Sequence, residues 1–167
     1  IITGLVGSEM CIRDRDKYMP GISVLAENVE SSVAAANAAA TAICTTDLVR
    51  KTVAIELEIG GKTVRMGGMA KGSGMIHPNM ATMLGVVTCD AAVSSDVWRD
   101  ITSRAGSASF NQISVDGDTS TNDSLVCFAS GEAGNAEIVD ANGAEAKLLE
   151  DALTAVCMGL ALSLIHI

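Results

Sequence analysis

The stretch "TVAIELEIGGKTVRM", residues 52–66, restricts the fold more than any other part of the chain. Val53, Ile55, Leu57 and Ile59 alternate with Thr52, Ala54, Glu56 and Glu58, so a strand here turns one face to a core and the other to water. Gly60-Gly61 then supplies two residues that tolerate positive φ, the requirement of a tight hairpin turn. A hairpin with one apolar face needs a cover, and the remaining sequence has to provide it.

Helical spacing supplies candidates. Ile22, Leu25, Val29, Val33, Ala36, Ala40 and Ile43 predict one or two Ala-rich helices between Ile22 and Cys44. "AEAKLLEDALTAVCMGLA" predicts an amphipathic helix with Leu149, Leu153, Val156 and Leu160 on one stripe. "TMLGVVTCDAAV" reads as a short buried strand, followed by a helix that carries Val97, Trp98 and Ile101 and is capped from Ser94, Ser95 and Asp96. "NQISVDGDTSTNDSLVCFAS" reads as a strand, a polar loop and a second apolar segment. Strands and helices mix without repeat or linker, which predicts one compact α/β unit.

Tyr18, Trp98, Phe110 and Phe128 are the only aromatic residues among 167, so the core has to be built from Ala, Val, Ile, Leu and Met. A net charge of −9 with no cluster of Lys or Arg excludes a nucleic-acid partner. Five cysteines lie dispersed, with no CxxC or CxxH spacing, a pattern of buried thiols in a reducing compartment rather than of a metal site or disulfide framework. No apolar run reaches the roughly 18 residues of a membrane span. The expectation is a cytoplasmic protein with neither metal nor membrane partner.

Residues 5–15, "LVGSEMCIRDR", and 162–167, "LSLIHI", read as translations of the two strands of one sequencing adapter. On that reading the protein's own sequence runs from Asp16 to Ala161 and His77 is its only histidine. Any Ser-His-Asp scheme would have to use it.

The mixed segment "KGSGMIHPNMATML", residues 71–84, holds the candidate chemistry. Gly72 and Gly74 permit close backbone approach and Pro78 removes a donor, which shapes an irregular loop before a strand. Lys71 can meet a carboxylate or an oxyanion. "GGMAKGSG" lacks the spacing of a phosphate-binding loop. "DGDTSTND", residues 116–123, begins like a calcium loop but has Thr121 where Gly and Cys127 where Glu are needed, so it reads as a polar turn fixed by its own side chains.

"AICTTDLVRK", "GGKTVRMGGMAKGSGMIHPNMATMLGVVTCDAA", "SFNQISVDGDTSTNDS" and "ALTAVCMGLA", in this order, resemble the bifunctional ornithine acetyltransferase / N-acetylglutamate synthase family of arginine biosynthesis. The resemblance implies a precursor that cuts itself between Ala81 and Thr82, dividing this chain into the end of an α chain, residues 16–81, and the start of a β chain, residues 82–161. It implies Thr82 as nucleophile, Thr45, Lys71 and Thr82 as substrate-contacting residues, and acetyl transfer from N-acetylornithine to glutamate. No cofactor is implied, although some members also accept acetyl-CoA. The implied fold is α/β, two packed sheets flanked by helices, with α and β chains assembled as a heterotetramer. The family's oxyanion Thr-Gly pair and its "DGEGATK" glutamate have no secure counterpart here, since Thr3-Gly4 matches only in its letters and the chain stops before the second. Cys44 and Leu48 also depart from the usual residues around "TTD". The alternatives are a related self-processing aminopeptidase and an inactive fragment.

Overall fold

The computed structural model describes residues 15–77, 83–118 and 123–165, which fall into two units divided after Asn37. In the first unit α1 spans Arg15–Glu27, and α2, Val33–Ala42, crosses the division. Two helices thus form in the Ala-rich region, but their expected apolar face is not a core: Ile22, Leu25, Val29 and Val33 are exposed, and Ala40 alone of that stripe is buried. The break at residues 28–32, where Asn28 bonds back to Val24 and Leu25, interrupts the helical phase that a single stripe needs.

The second unit is built on the predicted hairpin. Strands β1 (Lys51–Ile59) and β2 (Lys62–Lys71) pair antiparallel through Gly60 and Gly61, whose φ angles are 57° and 72°. β3 (Leu84–Cys89) pairs antiparallel with β2, and β4 (Ser124–Ala129) pairs parallel with β3, giving one four-stranded sheet in the order β1-β2-β3-β4. A parallel pair needs a crossover, here supplied by α3 (Ser95–Ala108) and a 3-10 turn at Phe110–Gln112. The class is α/β as expected. Of the two sheets that the resemblance implies, the described residues contain this one.

The cover is α4, Ala144–Ile165. Its expected stripe of Leu149, Leu153, Val156 and Leu160 is wholly buried, and Cys157, Ala161 and Leu164 widen it. The helix runs close to the sheet because two glycines leave room. A Cβ at Gly68 of β2 would lie 2.9 Å from Leu160 Cδ1, and one at Gly159 would lie 3.0 Å from Val53 Cγ2. By length and composition α4 could cross a membrane, contrary to the expectation that no such segment exists. Its buried stripe against β1, β2 and α3 makes it the core helix of this unit. Residues 162–165, within the stretch expected to be adapter translation, continue this helix.

Three local expectations change. β3 is not buried on both faces: Gly85, Val87 and Cys89 point into the core while Leu84 and Thr88 are exposed. Its other face has no helix against it among the described residues. Residues 111–115 form no strand; the 3-10 turn ends there and Val115 N–H bonds to Ile76 O at 2.7 Å. Ser94 starts α3 with its carbonyl, which accepts from Trp98 N–H at 2.9 Å, and its side chain makes no cap. The thiols of Cys127 and Cys157 are pushed up by burial to about 11 and about 12, which suits inert core cysteines.

Candidate functional site

Where β2 runs out at Lys71, the chain enters a loop whose backbone donors have no strand to bond. Carboxylates from elsewhere in the sequence receive them. Asp47, in the loop before β1, accepts from Gly72 N–H at 2.8 Å and from Lys51 Nζ at 2.5 Å, with its own loop closed by Thr45 N–H at 3.4 Å. Both members of the Asp47–Lys51 pair are buried. Burial pushes the Asp47 carboxyl up, but the hydrogen bonds from Lys51, Gly72 and Thr45 outweigh it and hold the group below its ordinary value. Thr46 and Ser73 share a short hydroxyl hydrogen bond that ties the same two loops together.

Asp116 holds the next part of the loop. Its carboxylate accepts from Met75 N–H at 2.6 Å and Ile76 N–H at 3.1 Å, and from Asp118 N–H at 3.3 Å. The Met75 amide is the foremost reason that its carboxyl lies low, with the other amides adding to it and burial opposing. Met75 itself has a φ of 54°, an uncommon conformation for a residue with a side chain, and the bond from its amide to Asp116 sits at that position. His77 Nδ1 lies 3.3 Å from Ser114 Oγ, which in turn donates to Ile76 O at 3.1 Å.

These contacts enclose a cleft of about 250 Å³ lined by Thr45, Thr46, Lys71, Gly72–Met75 and Asp116. Two of the predicted substrate-contacting residues, Thr45 and Lys71, therefore line the same cleft although 26 positions separate them. Ala81 and Thr82, predicted as the cleavage site and nucleophile, lie outside the described residues. The ladder gives the surroundings on their C-terminal side: Lys71, Leu84 and Ser124 stand in one row across β2, β3 and β4. Met83 N–H donates to Asp123 Oδ1 at 2.5 Å, and Ser124 N–H donates to Met83 O at 3.0 Å. Burial raises the Asp123 carboxyl, against the Met83 amide and the Lys71 ammonium, which lower it.

Sequence reasoning did not assign roles to Asp47, Asp116 or Asp123. The first stood inside "TTD" and the other two at the ends of "DGDTSTND", a loop read as bonding mainly to itself. Only the Asp116–Asp118 contact fits that reading. A signal was present in Gly72 and Gly74, around which an irregular backbone has N–H groups that some acceptor must satisfy.

A larger hollow, about 960 Å³, lies on the uncovered face of the sheet around Gly67, Thr88 and Phe128. Its charged residues are already engaged, Arg65 Nε with Glu56 at 2.8 Å and Asp90 with Arg65 N–H at 2.7 Å. No free reactive group converges there comparable to the Lys71 cleft.

The ArgJ family model matches residues 1–166. The chain is 77% identical to the arginine biosynthesis bifunctional protein ArgJ, chloroplastic, of Ostreococcus lucimarinus over 95% of its own length and 34% of that protein's. It is 56% identical to the protein of the same name from Physcomitrium patens, over 97% and 31%. A solved structure of the arginine biosynthesis bifunctional protein argJ from Bacillus halodurans matches 47% of this chain and 35% of that one, at 35% identity and a TM-score of 0.42. The chain thus spans about a third of the length of the curated relatives it matches.

These relatives overturn the cytoplasmic expectation, because they are named chloroplastic. Dispersed thiols and an acidic surface suit any reducing compartment and do not tell a plastid from a cytosol. The motifs around Thr45, Lys71 and residues 116–124 and the match over 166 positions agree: the chain belongs to the ArgJ family.

Proposed function

We propose that this chain is part of a plastid glutamate N-acetyltransferase of arginine biosynthesis, divided by self-cleavage between Ala81 and Thr82. Residues 16–81 then end an α chain and residues 82–161 begin a β chain, two copies of each assembling as a heterotetramer. The observation that carries this reading is that Thr45 and Lys71 line one cleft at the end of β2, with Lys71 in the row that β3 continues.

Cleavage adds water across the Ala81–Thr82 amide, leaving a carboxyl group on Ala81 and an amino group on Thr82. A threonine hydroxyl is a weak nucleophile and needs a base beside it. An amide nitrogen cannot serve, whereas an α-amino group, with a reference pKa of about 7.7–8.0, is partly unprotonated near neutrality. The cut therefore creates the base together with the free nucleophile.

In the first half-reaction Thr82 Oγ bonds to the acetyl carbon of N-acetylornithine while the acetyl–nitrogen bond breaks. The hydroxyl proton passes by way of the α-amino group to the departing ornithine amine. In the second, the amine of glutamate attacks the acetyl ester and Thr82 regains its proton. Lys71 pairs with the amino-acid carboxylate and the Thr45 hydroxyl bonds to the bound amino acid.

The experiment is mass spectrometry of the full-length protein that contains this segment. Two chains, one starting at Thr82, and a single uncut chain in Thr82→Ala are the expected results. A wild-type protein that stays intact, yet transfers acetyl groups, overturns the assignment of Thr82.

A further inference from the structure

We infer that Asp123 is a positioning residue for the self-cleaving segment, and that with Asp116 it fixes the described backbone on both sides of that segment. The inference rests on the reading of Ala81–Thr82 as the cleaved bond.

Three observations carry it. First, the two aspartates come from the same polar loop yet hold opposite flanks: Asp116 takes the amides of Met75 and Ile76, and Asp123 takes the amide of Met83. Second, the Met83 nitrogen is bonded to the carbonyl carbon of Thr82, so its anchor sits one peptide unit from the proposed nucleophile. Ser124 N–H on Met83 O holds the other side of the same residue and brings it into register with β4. Third, Asp123 is held where burial opposes it, so its bond to Met83 is not an incidental surface contact. Its Oδ2 is buried and unpartnered among the described residues, and burial opposes its charge. In the proposed cut the Thr82 hydroxyl attacks the Ala81 carbonyl carbon, the Ala81–Thr82 C–N bond breaks as the hydroxyl proton passes to the nitrogen, and water hydrolyses the resulting ester. That attack is sensitive to misplacement by about 1 Å, and anchoring the peptide next to the attacking residue limits that misplacement.

The test measures the rate of chain cleavage in the full-length protein, with the melting temperature beside it. Asp123→Ala removes the acceptor and slows cleavage on the order of ten- to a hundredfold. Asp123→Asn keeps an acceptor oxygen and restores cleavage to nearly the wild-type rate, at a melting temperature no lower than that of the wild type. A general structural role would instead lower melting and cleavage together, and that outcome overturns the inference. So does equally slow cleavage in both variants. In the wild-type protein the Met83 amide exchanges slowly with deuterium, a measurement independent of whether Asp123→Ala folds; fast exchange also overturns the inference. If the wild type never cleaves, the underlying reading falls and the inference with it. If the wild type cleaves and Asp123→Ala cleaves equally fast, only the inference falls.

Discussion

The helix-covered face of the sheet and the loop end of the same sheet are held by different physics. On the covered face, Leu149, Leu153, Val156 and Leu160 of α4 lie buried above Val53, Met66, Gly68 and Val87. Packing there is non-directional and rewards volume that fits. At the loop end, Asp47, Asp116 and Asp123 each collect backbone N–H groups from a segment distant in sequence. Those bonds are directional, few and partly opposed by burial. The first arrangement makes a stable scaffold; the second fixes positions on it.

The difference predicts unequal responses to substitution. The largest loss of stability is expected from Asp47→Ala, which leaves Lys51 buried without its partner and should cost about 3–5 kcal/mol by denaturant unfolding. Replacing both residues with apolar ones, Asp47→Leu with Lys51→Met, should cost clearly less, because no charge is then stranded. A double variant as unstable as Asp47→Ala would show that the backbone bond to Gly72 matters more than the pair. Leu153→Ala should cost about 2–5 kcal/mol through the cavity it opens under α4. Gly68→Ala should cost about 1–3 kcal/mol, since its new methyl meets Leu160, Val87 and Val156 within 3.2 Å.

Acid titration compares the anchors with each other. Asp47 has a folded pKa below its unfolded value, so its contribution is complete above about pH 3.9 and is lost as pH falls through the folded value. Asp123 has the opposite sign: its charged form opposes folding at neutral pH, and protonation as pH falls through its raised value relieves that. Melting curves from pH 7 to pH 2 should therefore show a shallower acid loss in Asp47→Asn and a higher neutral-pH midpoint in Asp123→Asn. The smallest effect is expected on the uncovered face, where Phe128→Ser should change stability by no more than about 0.5 kcal/mol. A large loss there would mean that this face is covered in the assembled protein.

The scaffold was readable because its signals are periodic. Period two fixed which residues of β1 face the core, helical spacing fixed the α4 stripe, and Gly60-Gly61 fixed the turn between β1 and β2. The exposed stripe of α1 and α2 misled because spacing shows which side of a helix is apolar and not whether anything lies against it. The cleft was readable only through the resemblance, which paired Thr45 with Lys71. The three aspartate anchors carried no period and no spacing rule. Their partners are backbone amides 25, 40 and 41 positions away, a relation that exists only once the sheet has formed.

The placement of the proposed cut between β2 and β3 has a thermodynamic consequence. Six paired residues join these strands, and α4, from beyond the cut, packs on β1 and β2, from before it. Cleavage would thus divide the covalent chain without dividing the folded unit. Once melted, however, the two pieces would have to find each other by diffusion, so refolding would become second order. The melting temperature of the cleaved protein would then rise more steeply with its concentration than that of an uncut Thr82→Ala variant, whose two halves stay covalently joined.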